Sequence, residues 1–325
     1  MMDKVKWGII GCGDVTEVKS GPALQKADGS ELVAVMRRSG DLAEDYARRH
    51  GVPKWYDQAE ELIHDPDVTA VYIATPPAFH RDYTLMAARA GKPVYVEKPM
   101  ARNYSECVEM IEACEAAGVP LYVAYYRRGL ARFQEIKRML DSGVIGHVRF
   151  VRTMQLQTLR PWDGEALPWR VQPELSGGGL FVDLASHTLD IWDYLLGPIE
   201  EAAGFALNQA GQHKAEDLVS GTYRFASGIT GMGTWCFQAY ARIDENEIIG
   251  SEGKITFSTF GEDIRVERSN GEVQQFTIAN PPHIQQPLIQ LIVNELRGMG
   301  QSPSTGISAA RTNRVMDAFL QSFYR

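Results

Sequence analysis

The chain begins its first apolar run at residue 5 and reads Val5-Lys-Trp-Gly-Ile-Ile-Gly-Cys-Gly-Asp-Val-Thr16. A short strand pattern is followed by two glycines and then by a helical pattern, as at the first βα turn of a dinucleotide-binding unit. Gly11 permits the tight turn, Gly13 lets the backbone approach a pyrophosphate, and the helix amino terminus then meets the negative charge. A plain tight turn is the alternative interpretation. The candidate cofactor-binding residues are Gly11, Cys12, Gly13, Asp14 and Val15.

The third position of this glycine pattern is Thr16, where Gly or Ala is usual. Helix–strand packing is therefore expected to loosen slightly there. The helix itself is predicted over Val15–Ala27, and Pro22 is expected to kink it or end it early.

Short apolar runs alternate with helical patterns over the first 125 residues, which predicts a parallel, doubly wound sheet. The sequence beyond shows longer extended segments joined by turn signals, including Ser269-Asn-Gly271, and predicts a mostly antiparallel sheet with a helix over Leu180–Leu196. The predicted fold class is α/β, with a dinucleotide-binding domain over 1–125 and a substrate-binding and oligomerisation domain over 126–325. The predicted strands of the first domain are Val5–Ile10, Glu31–Met36, Val68–Ala74, Val94–Glu97 and Leu121–Ala124.

Composition excludes several classes of protein. The 325 residues are 44% hydrophobic and carry a formal net charge of −8, which disfavours nucleic acid as the main partner. The sequence contains no run of about 18 apolar residues, so no membrane span is predicted. The four cysteines show no metal-binding spacing, so a reducing cytoplasm is the expected compartment.

The end of the second strand discriminates between cofactors. NAD sites usually place an acidic residue there to hold the ribose 2′-hydroxyl. This chain has Arg37, Arg38 and Ser39 instead, and its first acid is Asp41. Two guanidiniums and a hydroxyl suit a 2′-phosphate, so the sequence favours NADP. Solvated surface arginines are the alternative.

Two further strand ends carry candidate residues. Thr75-Pro76-Pro77 follows the predicted strand Val68–Ala74, at the edge where open α/β sheets bind ligands. His80 opens the next helix and either contacts cofactor or substrate or caps the turn.

Glu97-Lys98-Pro99 lies at the end of the predicted strand Val94–Glu97. An ammonium group at Lys98 can polarise a carbonyl or hold an alcoholate. A salt bridge with Glu97 is the alternative.

Asp183 and His187 lie four residues apart on the predicted helix, and Asp190 lies one turn further on. The carboxylate can orient the imidazole or a substrate hydroxyl while His187 exchanges a proton. A surface pair is one alternative. A metal site is another, but no other ligand cluster stands out and Lys98 already supplies an electrophile, so no metal is predicted.

Together these residues resemble the glucose–fructose oxidoreductase / inositol dehydrogenase (Gfo/Idh/MocA) family. The matching stretches are Gly8–Gly13, Ile73–Pro77 with His80, Glu97-Lys98-Pro99, Gly177–Asp183 with His187, and Glu247–Gly253. The resemblance covers essentially the whole chain.

The resemblance implies a Rossmann domain, a second α/β domain with an open sheet that builds a homodimer or homotetramer, and an active site in the cleft between domains. It also implies a cis Lys98–Pro99 peptide, a catalytic trio of Lys98, Asp183 and His187, cofactor contacts at Glu97 and Lys98, and sugar-like or cyclic alcohol substrates. The arginine run resembles that of NADP-preferring members such as 1,5-anhydro-fructose reductases.

The chain departs from the family near Ala124, where many relatives carry Asn. Neighbouring side chains are candidates for the cleft lining instead, and a later loop rich in tryptophan and arginine is a candidate for stacking on sugar CH groups and binding oxygen. A core-anchoring loop is its alternative. These substrate candidates are Tyr125, Tyr126, Arg128, Trp162, Trp169 and Arg170.

The sequence therefore predicts an NADP(H)-dependent oxidoreductase acting on a sugar-like or cyclic polyol alcohol or ketone. Two other classes stay open. One is a non-catalytic NADP sensor, which would have no need of an intact catalytic trio. The other is a lyase or glycosidase that uses tightly held NAD for internal redox, which the arginine pair disfavours.

Overall fold

Short apolar runs form a six-stranded parallel sheet in the computed structural model, which describes residues 3–159 and 166–324. The spatial order is β3-β2-β1-β4-β5-β6, so strand order reverses between β1 and β4 and the predicted doubly wound architecture is confirmed. All residues of β4 and β5 are buried, as expected of central strands covered on both faces. The strands are β1 (Val5–Ile10), β2 (Ser30–Met36), β3 (Lys54–Tyr56), β4 (Ala70–Ile73), β5 (Val94–Val96) and β6 (Leu121–Val123).

The helix predicted over Val15–Ala27 is two helices in the structure. It breaks at Lys19 and Ser20, and Pro22 lies in the first turn of the second helix, where its missing N–H has no cost. Strand β3 was not predicted, because three half-exposed residues at a sheet edge carry little apolar pattern. The helices of this part are α1 (Asp14–Val18), α2 (Gly21–Lys26), α3 (Gly40–His50), α4 (Ala59–His64), α5 (His80–Arg89) and α6 (Tyr104–Ala116).

An eight-stranded sheet forms the second half of the described chain, in the order β14-β13-β12-β11-β7-β10-β9-β8. Neighbouring strands are antiparallel except for β7 and β10, so the predicted mostly antiparallel sheet is confirmed. The strands are β7 (Val148–Thr158), β8 (Ile199–Leu207), β9 (Leu218–Phe225), β10 (Thr230–Ala239), β11 (Ile243–Gly250), β12 (Gly253–Phe257), β13 (Asp263–Arg268) and β14 (Val273–Thr277).

Two strands of this sheet were not predicted, β8 and β11. Both carry glutamates that point away from the core: Glu201 pairs with Arg224, and Glu245 and Glu247 both pair with Arg152. In β11 the polar Asn246 is buried on the same face as Ile248, and in β8 the apolar Phe205 and Leu207 are exposed. Neither strand therefore shows the regular alternation of buried apolar and exposed polar residues that marks a strand. The predicted hairpin between β13 and β14 is present, with Gly271 at φ +87° in its turn.

The predicted helix over Leu180–Leu196 is present and packs on the inner face of this sheet through a buried hydrogen-bond network. Trp192 Nε1 donates to Thr153 Oγ1 at 3.0 Å, and Thr153 Oγ1 donates to Asn246 Oδ1 at 2.9 Å. Asn246 Nδ2 donates to Thr259 Oγ1 at 3.0 Å, and the Thr259 and Thr188 hydroxyls lie 2.9 Å apart. A connected network of this kind fixes the rotation of the helix on the sheet. The remaining helices are α7 (Ala131–Asp141), α8 (Pro173–Ser176), α9 (Leu180–Leu196), α10 (Gln286–Leu296) and α11 (Gly306–Leu320).

The chain divides into two units, and each unit is built from two separate segments of the sequence. The first runs to Leu130 and also includes Pro281–Ala310, whereas the sequence assigned that segment to the second domain. Ser304 Oγ donates to Val123 O at 2.7 Å, and a Cβ at Gly129 would lie 2.8 Å from Leu288 N. Through these contacts the returning segment, Pro281–Ala310, packs against the first sheet. The second unit comprises Ala131–Asn280 and the residues from Arg311 onward.

Candidate active site

The glycine turn after β1 is shaped by two close approaches. Gly11 has φ +90°, and a Cβ there would lie 2.7 Å from Thr75 Cγ2. At Gly13 a Cβ would meet only Gly11 O, at 3.9 Å. The turn therefore excludes a side chain at Gly11 and leaves the backbone open at Gly13, as a close-bound ligand requires.

Thr16, the unusual third residue of the pattern, is buried and caps this turn. Its hydroxyl donates to Gly13 O at 2.7 Å and accepts from Gly13 N–H at 3.0 Å. Tyr46 OH donates to Thr16 O at 2.8 Å, and a Cβ at Gly21 would lie 2.3 Å from Thr16 O. The threonine is thus held by its hydroxyl, and the neighbouring helix approaches it closely through a glycine.

The turn fits a dinucleotide. Asp14 and Val15 occupy the first two positions of α1, where N–H groups have no intrahelical acceptor. Thr75 Oγ1, at the end of the adjacent strand β4, is buried and has no hydrogen-bond partner among residues 3–159 and 166–324. These donors lie along one edge of the sheet, where an anionic ligand would satisfy them.

Arg37, Arg38 and Ser39 are exposed at the carboxyl end of β2, next to the glycine turn. Arg37 Nη1 lies 3.5 Å from Cys12 O, and the Arg38 guanidinium lies 5.3 Å from the centroid of the Phe79 ring. Among the described side chains, no carboxylate pairs with either guanidinium. Both positive charges are therefore available at the position where a ribose would lie.

His80 is completely buried and joins two loops. Its Nε2 lies 2.7 Å from Thr75 O, and its Nδ1 lies 3.1 Å from both Pro99 O and Met100 O. Burial lowers the pKa of the imidazole. His80 therefore links the segment that contains Pro76 and Pro77 to the segment that follows Lys98. Its ring nitrogens make these links with main-chain carbonyl oxygens.

Glu97, Lys98 and Pro99 follow β5, and the Lys98–Pro99 peptide is cis, as the resemblance implied. Glu97 is buried. Its Oε1 accepts from Tyr72 OH at 2.6 Å and from Gln285 Nε2 at 2.7 Å, and its Oε2 accepts from Lys98 N–H at 3.1 Å. The carboxylate thus anchors the backbone from which the half-buried Lys98 side chain extends.

Lys98, Thr75 and the glycine turn share one edge of the sheet. They follow β5, β4 and β1, which are neighbouring parallel strands. Parallel strands end at the same edge, so Lys98 follows its strand at the edge of the sheet where the glycine turn lies.

Tyr125, Tyr126 and Arg128 follow β6, and all three side chains are buried. Arg128 Nη1 donates to Pro303 O at 3.0 Å, which fixes this arginine on the returning segment. The structure therefore places these substrate candidates within a packed region near the end of the first sheet.

Asp183, His187 and Asp190 lie at i, i+4 and i+7 of α9 and share one helical face. His187 and Asp190 are buried, and Asp183 is half-buried. The His187 ring packs edge-on against Phe260, with ring centroids 5.7 Å apart. Asp244 holds that loop by accepting from Thr259 N–H at 2.9 Å and from Phe260 N–H at 2.8 Å.

Arg170 is brought to this helix by a short turn. Its Nε lies 3.3 Å from Asp183 Oδ2, and its guanidinium stacks 4.5 Å from the centroid of the Trp169 ring. The predicted loop residues Trp169 and Arg170 therefore lie beside one member of the predicted trio. Trp162 falls outside the described residues.

Sequence reasoning missed three residues that the structure brings to these sites: Gln285, Phe260 and Glu216. Gln285 contacts Glu97, Phe260 contacts His187, and Glu216 accepts a hydrogen bond of 2.7 Å from Gly179 N–H at the start of α9. The sequence did contain a signal for Glu216: two adjacent acids, Glu216 and Asp217, precede an apolar strand. Acidic side chains that become buried beside such a strand need hydrogen-bond partners. Gln285 and Phe260 carried none.

The described part of the chain has neither a metal cluster nor a membrane-spanning helix. No group of three or more histidine, cysteine, aspartate or glutamate side chains there could hold a metal ion. No helix there has the length and apolar character needed to span a bilayer.

Comparison with known proteins identifies the family. Residues 5–125 match the family model described as "Oxidoreductase family, NAD-binding Rossmann fold", and residues 133–256 match the model of the GFO/IDH/MocA C-terminal domain. The chain belongs to the Gfo/Idh/MocA oxidoreductase family. It is an oxidoreductase with an NAD-binding Rossmann domain.

Three relatives show how far the similarity extends. An oxidoreductase of Formosa agariphila is 41% identical over 98% of this chain and 99% of its own length. The 1,5-anhydro-D-fructose reductase of Ensifer adhaerens is 29% identical over 93% of this chain and 91% of its own. The crystal structure of the aldose-aldose oxidoreductase of Caulobacter crescentus, complexed with glycerol, superposes with a TM-score of 0.86 at 26% identity, covering 98% of this chain and 97% of that one.

Proposed function

We propose that this protein is an NADP(H)-dependent oxidoreductase that interconverts an alcohol and a ketone on a sugar-like or cyclic polyol substrate. The observation that carries the proposal is the common sheet edge shared by the glycine turn, Thr75 and Lys98. It supports a reaction in which a dinucleotide and an electrophilic ammonium group act on the same carbon–oxygen bond. The names of relatives, among them 1,5-anhydro-D-fructose reductase and levoglucosan dehydrogenase, support the substrate class.

Lys98, Asp183 and His187 are the proposed catalytic residues. In the oxidising direction His187 accepts the hydroxyl proton, and the Lys98 ammonium stabilises the negative charge that develops on oxygen. Asp183 orients the imidazole or the substrate. In the reducing direction Lys98 polarises the carbonyl and His187 returns the proton. When bound, the dinucleotide supplies or accepts the hydride.

The protein's own contacts support these roles. The Glu97 carboxylate holds the backbone at Lys98 in place, so the Lys98 side chain extends from a fixed position. Phe260 packs against His187 and limits its rotation. Arg170 neutralises part of the Asp183 charge, and Trp169 offers an aromatic face beside it for the CH groups of a sugar.

NADP is the proposed cofactor. Exposed Arg37 and Arg38 lie at the end of β2, where an NAD site usually carries an acidic residue. Guanidiniums form charge-assisted, bidentate hydrogen bonds with phosphate, and Ser39 adds a hydroxyl. Gly13, Asp14 and Val15 are proposed to hold the pyrophosphate.

The outer face of the second sheet is the proposed surface of a homodimer or homotetramer. It exposes Phe150, Phe205 and Met232, and a hollow of about 730 Å³ lies between Phe150 and Met232. Exposed apolar area of this kind on a sheet favours burial against a second copy. The four free cysteines support a cytoplasmic location.

The test is a side-by-side titration of the purified protein with NADPH and NADH, followed by a screen of sugars, anhydro-sugars and inositols at 340 nm. Tighter NADPH binding and turnover of a member of these classes are expected. NADH preference would overturn the cofactor proposal. Failure of all three substrate classes, with NADPH bound, would overturn the substrate proposal.

A further inference from the structure

Glu216 is a buried acid that the proposed chemistry does not use, and it holds the start of the helix that carries Asp183 and His187. Its Oε1 accepts from Gly179 N–H at 2.7 Å, and its Oε2 accepts from Tyr324 OH at 2.5 Å. The residue has no exposed surface. A buried carboxylate that accepts two donors fixes the groups that donate to it.

The glycines before α9 are what allow this contact. A Cβ at Gly179 would lie 2.5 Å from Glu216 O and 3.1 Å from Glu216 Oε1, and one at Gly178 would lie 3.2 Å from Oε1. Gly177 adopts φ +84°, which turns the chain into the helix. The triple glycine thus lets the helix entrance lie directly on the Glu216 segment.

That segment is itself rigidly held. The carboxylate of Asp217 accepts from Gln209 N–H at 2.9 Å and from Ala210 N–H at 2.8 Å. Asp217 N–H donates to Leu207 O at 2.9 Å, and Phe237 N–H donates to Asp217 O at 2.8 Å. Glu216 therefore projects from a fixed corner between β8 and β9, and α9 is the element whose entrance it orients.

We propose that Glu216 is a positioning residue of the active site, whose carboxylate fixes the first turn of α9 and thereby the orientation of Asp183 and His187. The proposal rests on the proposed function for the catalytic roles of those two residues. The contact of Glu216 with Gly179 and its effect on the His187 ring can be tested without an assay of turnover.

The pKa of the Glu216 carboxyl group lies near neutral pH. Burial is the main cause that raises the pKa of Glu216 to about 7. Hydrogen bonds from Tyr324 and from Gly179 N–H oppose the rise, and the neighbouring Asp217 charge adds to it. Burial and the charges of Glu216 and Glu174 raise the pKa of Tyr324, so its phenol remains a donor near neutral pH. Above about pH 7 Glu216 accepts both hydrogen bonds. Below it, the added proton competes with the Tyr324 donor, and the hold on α9 weakens.

The glycine run makes a sharp spectroscopic test possible. Gly177-Gly178-Gly179 contains the only consecutive glycines in the sequence, so protein labelled with carbonyl-¹³C and ¹⁵N glycine gives two HNCO signals, from Gly178 and Gly179. In wild type the Gly179 amide is expected to shift with an inflection near pH 7. The His187 Cε1–H signal, assigned by its loss in His187→Gln, is expected to show the same inflection.

Two variants and a control complete the test. Glu216→Gln keeps an acceptor for Gly179 and a donor for the Tyr324 oxygen but cannot titrate, so both inflections near pH 7 should disappear. Tyr324→Phe removes a donor that lowers the pKa, so the inflection should move to higher pH. Glu200→Gln, an exposed acid at the start of β8, should change neither signal.

The proposal is overturned if the Gly179 amide keeps its inflection in Glu216→Gln, or if the amide titrates while His187 does not follow. Where a substrate is in hand, Glu216→Gln should lower kcat about tenfold at pH 8 relative to wild type, with an unchanged Kd for NADPH. Equal kcat at pH 8 would also overturn it. A wild-type protein that turns over no sugar-like substrate would count against the proposed function and leave the spectroscopic result to decide the role of Glu216.

Discussion

Gln285 donates a hydrogen bond of 2.7 Å from Nε2 to Glu97 Oε1, although 188 residues separate the two in sequence. Gln285 Oε1 in turn accepts from Tyr95 OH at 2.9 Å, and all three side chains are buried. The segment that returns to the first sheet near the end of the chain therefore supplies a partner for the carboxylate beside Lys98. A buried polar network of this kind is costly to break.

Gln285→Leu should lower the free energy of unfolding by about 1–3 kcal/mol, because Glu97 loses a donor and the Tyr95 hydroxyl loses its acceptor. Urea denaturation measures the change. Gln286→Leu, at the neighbouring half-buried position, is the matched control and should cost much less. Equal losses in the two variants would show that the network does not contribute.

Lys98→Ala and His187→Ala should each lower kcat about 10²-fold or more while the fold persists, since each removes a group that acts on the reacting oxygen. Steady-state kinetics on the identified substrate, with circular dichroism to check folding, measures this. Lys137→Ala, at a partly exposed position on α7, should keep wild-type turnover. Near wild-type turnover in either catalytic variant would refute the assignment.

Arg38→Ala and Arg37→Ala should weaken NADPH binding by about tenfold or more and leave NADH binding nearly unchanged, because only NADPH presents a 2′-phosphate to the guanidiniums. Fluorescence titration of both cofactors measures the two dissociation constants. Arg48→Ala, exposed on α3, is the control. Equal weakening of both cofactors would argue against a 2′-phosphate contact.

Glu17→Gln should show a pH-dependent loss of stability. Hydrogen bonds from Arg49 lower the pKa of Glu17 to about 2 from an ordinary value of 4.5, with His50 adding to the shift. The folded state thus binds the proton more weakly than the unfolded chain, so the stabilisation is present above about pH 4.5 and is lost as pH falls toward 2. Urea unfolding at pH 7, 5 and 4 should show the gap between wild type and variant narrowing only at the lowest pH. Glu44→Gln should show no such gap.

Phe205→Glu and Met232→Glu should each disrupt the oligomer, because each places a charge on the apolar part of the outer sheet face. Light scattering coupled to size-exclusion chromatography measures the mass. Val18→Glu, an exposed apolar position of the first unit, is the control and should leave the mass unchanged. An unaltered mass in both sheet variants would place the interface elsewhere.

Local pattern predicted much of the architecture. The apolar runs at Val5–Ile10 and Val94–Glu97, which alternate with helical patterns, are short-range signals, and they predicted the parallel, doubly wound sheet. The strands β8 and β11 were not predicted because their apolar and polar residues do not alternate regularly: β8 exposes Phe205 and Leu207, and β11 buries Asn246.

The sequence by itself determined the fold class, the family and the chemical types of the candidate catalytic residues, because these depend on short motifs such as Gly11-Cys-Gly13 and Glu97-Lys-Pro99. Only the tertiary structure decided which residues hold those motifs in place. Gln285 reaches Glu97, Phe260 reaches His187 and Glu216 reaches Gly179. These contacts join residues far apart in the chain. They form only once helices and sheets have packed, because a polar group that is buried is destabilising unless it has a hydrogen-bond partner.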